Sequence, residues 1–229
     1  MIKLLGTVPS KIVMAVSGGQ DSMAALDFLN NNARREAVVL YFNHGTDHGN
    51  DAETFVKHYC GDRGIPLVIG DLQRAMEPGE SKEAYWREER YGFFKNWLYQ
   101  GSYNYAALQL KKENELAEFN NAPIITCHHL DDAVETWIFT ALHGNPMLIP
   151  YKRDNFIRPF LLTRKSDLAE WSERKKVPFV LDQSNFDTSY MRNFIRHSLM
   201  PDALTVNPGL HKVVKKKVLQ EYNKNVDII

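Results

Sequence analysis

The 229-residue chain is 44% hydrophobic and 24% charged, enough apolar mass for one good-sized domain or two small ones and no more. Its longest apolar runs, at residues 12–16 and 37–42, fall far short of the roughly 20 residues of a membrane-spanning helix, and no secretory leader is readable before Gly6 and Pro9. Two cysteines, Cys60 and Cys127, with no CxxC, argue against a disulfide scaffold, a zinc ribbon and a cysteine-held iron–sulfur cluster, so a cytoplasmic protein is expected. The zero net charge divides unevenly: residues 1–151 carry 13 Lys and Arg against 19 acids, and residues 152–229 carry 15 against 9. A basic second half fits a polyanionic partner, and mutual neutralisation of the halves fits equally well.

In chain order, residues 11–16 form a short buried strand that ends in Ser17, Gly18, Gly19, Gln20, Asp21 and Ser22. Met23, Ala24, Leu26, Phe28 and Leu29 then recur at helical spacing. A second strand is expected over 37–42, then a polar loop over 43–50, a helix over about 51–63 and a third strand over 66–70. Residues 80–100 read as a helix, 123–127 as a fourth strand and 131–143 as the helix after it. A short segment at 156–162 precedes a helix at 165–176, a strand-like run at 177–181 and helices at about 188–199 and 208–222. Residues 101–121, Tyr-rich and then Lys/Glu-rich, are ambiguous and fit a helix on an excursion from the sheet. Strands alternating with helices predict an α/β fold, a doubly wound parallel sheet over residues 1–185 with a short helical C-terminal extension over 186–229.

Two glycines between strand and helix let the backbone approach an anion closely, with the amides of the helix start pointing at it. Ser17 and Ser22 add hydroxyl donors. Asp21 would repel a phosphate, so a bridging Mg²⁺ is its natural partner. The same turn would also serve as a plain Ser/Asx helix cap. It is neither the GxxxxGK[ST] loop nor the GxGxxG turn. The second cluster is His128, His129, Leu130, Asp131, Asp132, Glu135 and Thr136, after the fourth strand, whose carboxyl end is expected beside that of the first at the switch point of the sheet. Asp132 and Glu135, three apart, share a helix face, as do Asp131 and Glu135, four apart. A ligand site, a metal site and an acidic helix cap all fit this pattern.

The SGGxDS turn resembles the phosphate loop of the N-type ATP pyrophosphatases, the PP-loop family, and HHLDDxxET resembles its tRNA(Ile)-lysidine synthetase branch. Further stretches match that branch in order: Arg87, Arg90, Tyr91 and Phe94 as RxxRYxxF, and Arg158, Pro159, Phe160 and Leu161 as its RPLL segment. Asp182, Ser184, Asn185 and Asp187, then Arg192, Asn193, Ile195 and Arg196, match its DxSNxD…RNxIR element, while Asn43, His44 and Gly45 fit its second strand and Asp51, Ala52 and Glu53 the helix after it. The resemblance runs over about residues 11–210. It implies an adenine nucleotide alpha-hydrolase-like fold, with ATP and Mg²⁺ as cofactors and the anticodon loop of isoleucine tRNA and free L-lysine as partners. ATP would adenylate the C2 oxygen of the wobble cytidine, and the lysine amine would displace AMP.

By the same resemblance ATP would lie on Ala15, Val16, Ser17, Gly18, Gly19, Gln20, Asp21, Ser22, Asn43 and His44, and Mg²⁺ on Asp21 and Asp132. Arg90 would stabilise departing pyrophosphate. Asp132 and Glu135 would hold the lysine ammonium groups, Arg196 its carboxylate, and His128 or a carboxylate would take the proton of the attacking amine. Aromatics of the 85–105 region would take up the unstacked cytosine, and Lys212 with Lys215, Lys216 and Lys217 would meet tRNA phosphates. Members of the branch usually continue past this length with further tRNA-gripping domains, so a short form of the branch is expected. The chain departs from the branch in Thr46 and Asp47 where the branch carries Leu–Arg, in His143 where it carries Arg before Gly144, and in a longer 96–121 stretch. Two other functions stay open on the sequence: a PP-loop ligase adenylating another RNA base or a small molecule, and a catalytically silent nucleotide- or RNA-binding relative.

Overall fold

In the computed structural model, which describes residues 1–32, 35–100, 119 and 122–226, the first apolar run forms β1 (Lys11–Ala15). Parallel to it lie β2 (Glu36–Asn43) on one side and β4 (Ile124–Ile125) on the other, with β3 (Leu67–Asp71) parallel to β2 beyond. All of β2 after Glu36 is buried, as is the middle of β1, so these strands read as continuous apolar runs rather than alternating ones. Helix α1 (Gln20–Asp27), running into a π-helical turn at Phe28–Asn32, and α2 (Asp47–Arg63) supply the crossovers, and α3 (Lys82–Gln100) follows β3. The chain steps outward from β1 to β3 and re-enters on the far side of β1 as β4. The switch point of this parallel α/β sheet therefore lies between the carboxyl ends of β1 and β4. These elements, from Val8–Thr126 together with Val177–Val180, make one compact unit.

The expected elements differ from the observed ones in informative places. Helix α2 begins at Asp47 rather than 51, because the Thr46 hydroxyl accepts from Gly49 N at 3.0 Å and caps it inside the expected polar loop. β4 is only two residues long. Residues 177–181 form no strand; Val180 N instead donates one bond, at 2.9 Å, to Gly18 O. Apart from Phe119, the ambiguous stretch 101–121 lies outside the described residues.

The second unit is Met1–Thr7, Cys127–Lys176 and Leu181–Ile229. It holds α4 (Leu130–Leu142), an antiparallel hairpin of β5 (Lys152–Arg153) and β6 (Phe156–Ile157), a 3-10 turn at Pro159–Leu162, and α5 (Lys165–Lys175). Helix α6 (Met191–Phe194) then continues through a π-helical turn, Ile195–Leu199, into α7 (Met200–Val206), and α8 (Leu210–Val226) follows. Leu130, Val134 and Ile138 of α4 recur at i+4 and meet Leu210, Val214 and Val218 of α8 in one core with Leu5, Leu161 and Ile195. Among the described residues no helix is long and apolar enough to cross a membrane.

Helix α3 is seated on β3 through a missing side chain. A Cβ on Gly70 would stand 2.4 Å from the Phe93 ring, whereas a Cβ on Gly92, its neighbour on α3, would meet nothing within 4 Å. Gly70→Ala is therefore expected to destabilise the fold by about 1–3 kcal/mol through overpacking. Gly92→Ala should stabilise it by about 0.5–1 kcal/mol through lower helix entropy cost. Urea unfolding of both variants measures the pair, and a neutral Gly70→Ala would mean that Phe93 does not seat the helix.

Candidate functional site

The glycine turn after β1 is built around hydroxyls and a left-handed glycine. Gly18 has φ +80°, and a Cβ there would press on Ala52 and Val56 of α2 at 3.4 Å. The Ser22 hydroxyl donates to Gly19 O at 2.9 Å and accepts from Ser17 N at 3.2 Å. With its proton engaged there, Ser17 is the donor across the 3.2 Å between the two hydroxyls. Gly19 caps α1 and brings no side chain to its first-turn amides, the kind of helix start that suits an anion, with Asp21 in that turn. Val16 is buried, and its N–H reaches Leu40 O at 2.9 Å; Ala15 is half-buried.

At the end of β2, Asn43 is a bracket. Its Nδ2 donates to Asn50 Oδ1 at 3.0 Å and Glu53 Oε2 at 2.7 Å, and its Oδ1 accepts from Gly45 N at 2.8 Å. Gly49 permits this approach, since a Cβ there would lie 2.7 Å from Asn43 Oδ1. The His44 ring sits between Phe42 and Trp86, with centroids 5.0 Å away in each case, and its buried Nδ1 has no hydrogen-bond partner among the described residues. Burial and then the charge of Arg90 push its imidazole down to about 4, so it is neutral. Glu88 and Glu89, the sequence neighbours of Arg90, reach Arg74 at 3.0 and 3.5 Å.

In the other unit the start of α4 gathers its acids. Asp132 and His129 form a capping box: His129 N donates to Asp132 Oδ2 at 2.9 Å, and Asp132 N donates to His129 Nδ1 at 3.2 Å, which fixes His129 as the Nε2–H tautomer. Glu135, only 2% exposed, accepts two bonds from Arg196, Nε at 2.7 Å and NH2 at 3.1 Å, and the same NH2 reaches Asp132 Oδ1 at 3.4 Å. Arg192 Nε stands 4.0 Å from Glu135. Burial works against the Asp132 charge, but His129, His128 and Arg192 hold its carboxyl below the usual range. His128 is pushed down to about 4, by burial first and by Arg158 and Arg192 next, with Asp132 opposing. Asp131 accepts from Lys165 N at 2.7 Å and from His211 Nε2 at 3.0 Å, with Arg164 Nε at 3.5 Å.

Asp132, Glu135 and Arg196 thus come together as an ion-paired cluster, with Asp132 also acting on His128. Asn43, His44 and Arg90 gather in the sheet unit with Trp86. Among the described residues no group of three or more His, Cys, Asp or Glu converges as a metal cage. A Mg²⁺ carried by phosphates needs only one or two carboxylates. Asp21 stands in the first turn of α1, and both oxygens of Asp132 are engaged by His129 N and Arg196. Tyr85 does not serve as a stacking surface: it is 5% exposed, its hydroxyl donates to Arg74 O and Arg74 covers its ring at 4.7 Å. Tyr105 lies outside the described residues. Lys212, Lys216 and Lys217 are exposed and Lys215 is half-buried. Sequence reasoning missed Asp131's partner His211 and the role of Arg74. Neither carried a signal, because each partner lies on another helix or loop.

A family model described as the PP-loop domain matches residues 3–118 and 105–203. A tRNA(Ile)-lysidine synthase of Thermotoga sp. (strain RQ2) is 30% identical over 220 residues, covering 90% of this chain and 48% of that protein. One of Lactiplantibacillus plantarum is 29% identical over 215 residues, covering 89% and 44%. A bifunctional protein TilS/HprT of Listeria innocua is 30% identical over 221 residues, covering 90% and 31%. The chain spans about half the length of the synthases it matches, or less. In fold it resembles the U34-tRNA thiolase NcsA of Methanococcus maripaludis, with a TM-score of 0.69 at 12% identity, covering 95% of this chain and 74% of that one.

The two neutral histidines give stability a pH dependence. The unfolded chain binds their protons near the ordinary value of 6.5 and the folded chain only near 4, so their contribution is complete above about 6.5 and is lost as pH falls towards 4. The lowered carboxyls of Asp131 and Asp132 lose theirs only below the usual carboxylate range. Thermal unfolding from pH 8 to 4 should show Tm declining below about 6.5, with a shallower decline in His128→Asn. A flat Tm between 6.5 and 4.5 would contradict the neutral assignment.

Proposed function

The chain belongs to the PP-loop family, and from that membership we propose that it works as an ATP-dependent carbon–nitrogen ligase of the lysidine-synthase type in the cytoplasm. It would adenylate the C2 oxygen of the wobble cytidine of isoleucine tRNA and replace AMP by L-lysine. The observation that carries this reading is the cluster of buried Asp132 and Glu135 with half-buried Arg196. Two acids and one arginine mirror the two ammonium groups and one carboxylate of lysine. Their formal charge of one negative unit balances lysine's one positive unit.

On this reading the triphosphate of ATP lies on the amides of residues 17–22. Bound Mg²⁺, held at Asp21, would supply charge neutralisation between the phosphates. Asn43 positions the loop after β2, and His44, neutral between two rings, offers an uncharged polar edge to the nucleotide. Arg90 meets the negative charge that gathers as pyrophosphate leaves. Lysine enters by exchange: its carboxylate takes Arg196 while its ammonium groups take Glu135 and Asp132, so no buried charge is left alone. The attacking amine forms the C2–N bond, the C2–O bond to AMP breaks, and the amine proton passes to neutral His128 or to a carboxylate.

Asp21→Ala should abolish Mg²⁺-dependent pyrophosphate release with the circular dichroism spectrum unchanged. Glu135→Gln should raise the lysine concentration needed for half-maximal AMP release by about a hundredfold or more, the scale of a broken buried pair. Full pyrophosphate release by the first variant, or better turnover with ornithine or ammonia than with lysine in the wild type, would overturn the reading.

A second measurement concerns the tRNA. Phosphate contacts give affinity and orientation without sequence information. With Lys212, Lys215, Lys216 and Lys217 changed together to Gln, the slope of log K against log[salt] for tRNA should become shallower by about 0.7–0.9 per lost contact, with ATP affinity unchanged. An unaltered slope would place the RNA elsewhere.

A further inference from the structure

Exposed aromatic side chains concentrate in one short stretch of the helical unit. Phe186, Tyr190 and Phe194 are 65%, 45% and 46% exposed, and Met191 among them is 61% exposed. Phe194 N donates to Tyr190 O at 2.9 Å, so the two rings stand one turn apart on one helix face, with His197 three residues further along it. The Phe186 ring is stacked on that of His197, with centroids 6.1 Å apart and planes 24° apart. His197 is fixed by donating from Nε2 to Asn185 O at 2.8 Å, and Asn193 Nδ2 braces the loop on Asp187 O at 2.9 Å. The opposite face of the same turn points inward: Ile195 is in the core and Arg196 holds Glu135. One turn of helix thus carries the ion-paired cluster on one side and a row of held rings on the other.

We propose that this row is a stacking platform for unpaired bases of an RNA loop, a deepening of the proposed function on which it rests. Chemistry at C2 of a loop cytidine requires that base to leave its stack, so its neighbours lose their partners. Flat rings on the far side of the helix that carries the lysine-binding arginine would replace those partners at any sequence, since every base has a π-face. Charge favours a polyanion over a second copy of the chain. The unit holds 16 Lys and Arg against 12 acids, and Arg192, on the same short helix as Phe194 with its Nε 4.0 Å from Glu135, is still 47% exposed.

The test uses the isoleucine anticodon stem–loop with 2-aminopurine next to the wobble cytidine, titrated with the full chain. Wild type should bind and quench the fluorophore. Tyr190→Ala and Phe194→Ala, both at exposed positions, should each bind about tenfold more weakly or worse and lose the quench. Their Tm, and their weak binding to a blunt RNA duplex, should match wild type. Equal affinity and quench in the double variant overturns the platform. Self-association of wild type that the double variant abolishes, with RNA binding untouched, also overturns it and makes the rings an interface between copies. Binding with quench but no ATP-dependent lysine incorporation upholds the platform and sinks the proposed reaction. Equal kcat/KM for lysine incorporation by wild type and double variant does the reverse.

Discussion

The helical unit is organised round a carboxylate that burial would neutralise. Asp131 stays ionised because Lys165 N–H, the His211 imidazole and Arg164 surround it, and their combined effect outweighs desolvation. Its partners come from the starts of α5 and α8 while it stands at the start of α4, so one charge ties three helix ends. Removing a partner from a buried charge costs several times what a surface pair is worth. With Asp131 so fixed, the next residue can close the capping box and the one a turn later can face Arg196. The acids of α4 are divided by what they face: Asp131 secures the helix, and Asp132 and Glu135 present charge to the arginine.

Much of the fold was legible because its signals are local. A continuous apolar strand, a glycine pair and a helical repeat in sequence produce β1, the turn and α1, and the strand–helix alternation produces the parallel sheet. The misplacements share a cause. Residues 177–181 have the apolar, Pro-containing look of a strand, but whether they pair depends on an edge formed elsewhere, and Val180 bonds to the glycine turn instead. The early start of α2 depends on Thr46 as a cap, a polar residue inside a run that composition alone marks as loop. At the site, residue types were legible and their pairing was not. Periodicity put Asp132 and Glu135 on one face, but no local rule shows that Arg196, sixty residues on, closes over both. Tyr85 looked available because aromatics cluster there; Arg74, from the loop before α3, covers it.

The charge asymmetry of the two sequence halves, six charges each way, carries over to the two units of the fold as four charges each way. The acidic surplus belongs to the unit with the glycine turn, where backbone amides and a helix start, rather than lysines, would face an anion. The basic surplus belongs to the unit with the ion-paired cluster, the exposed rings and the lysines of α8. An anion held by amides is fixed in geometry, whereas one met by long, exposed cations is held loosely and gives way to salt.

The bond from Val180 to Gly18 has a consequence for how the molecule is made. Val177–Val180 lie in the sheet unit while the residues on either side of them lie in the other, so the chain leaves and re-enters each unit. During synthesis β1, α1 and β2 can assemble from neighbouring sequence soon after they emerge. The carbonyl of the glycine turn must wait for a donor that the ribosome delivers long after β4 is complete. Such distant closure is slow compared with local pairing. The turn is therefore among the last parts of its unit to be completed, and a nascent chain released early would carry a sheet without its finished anion cradle.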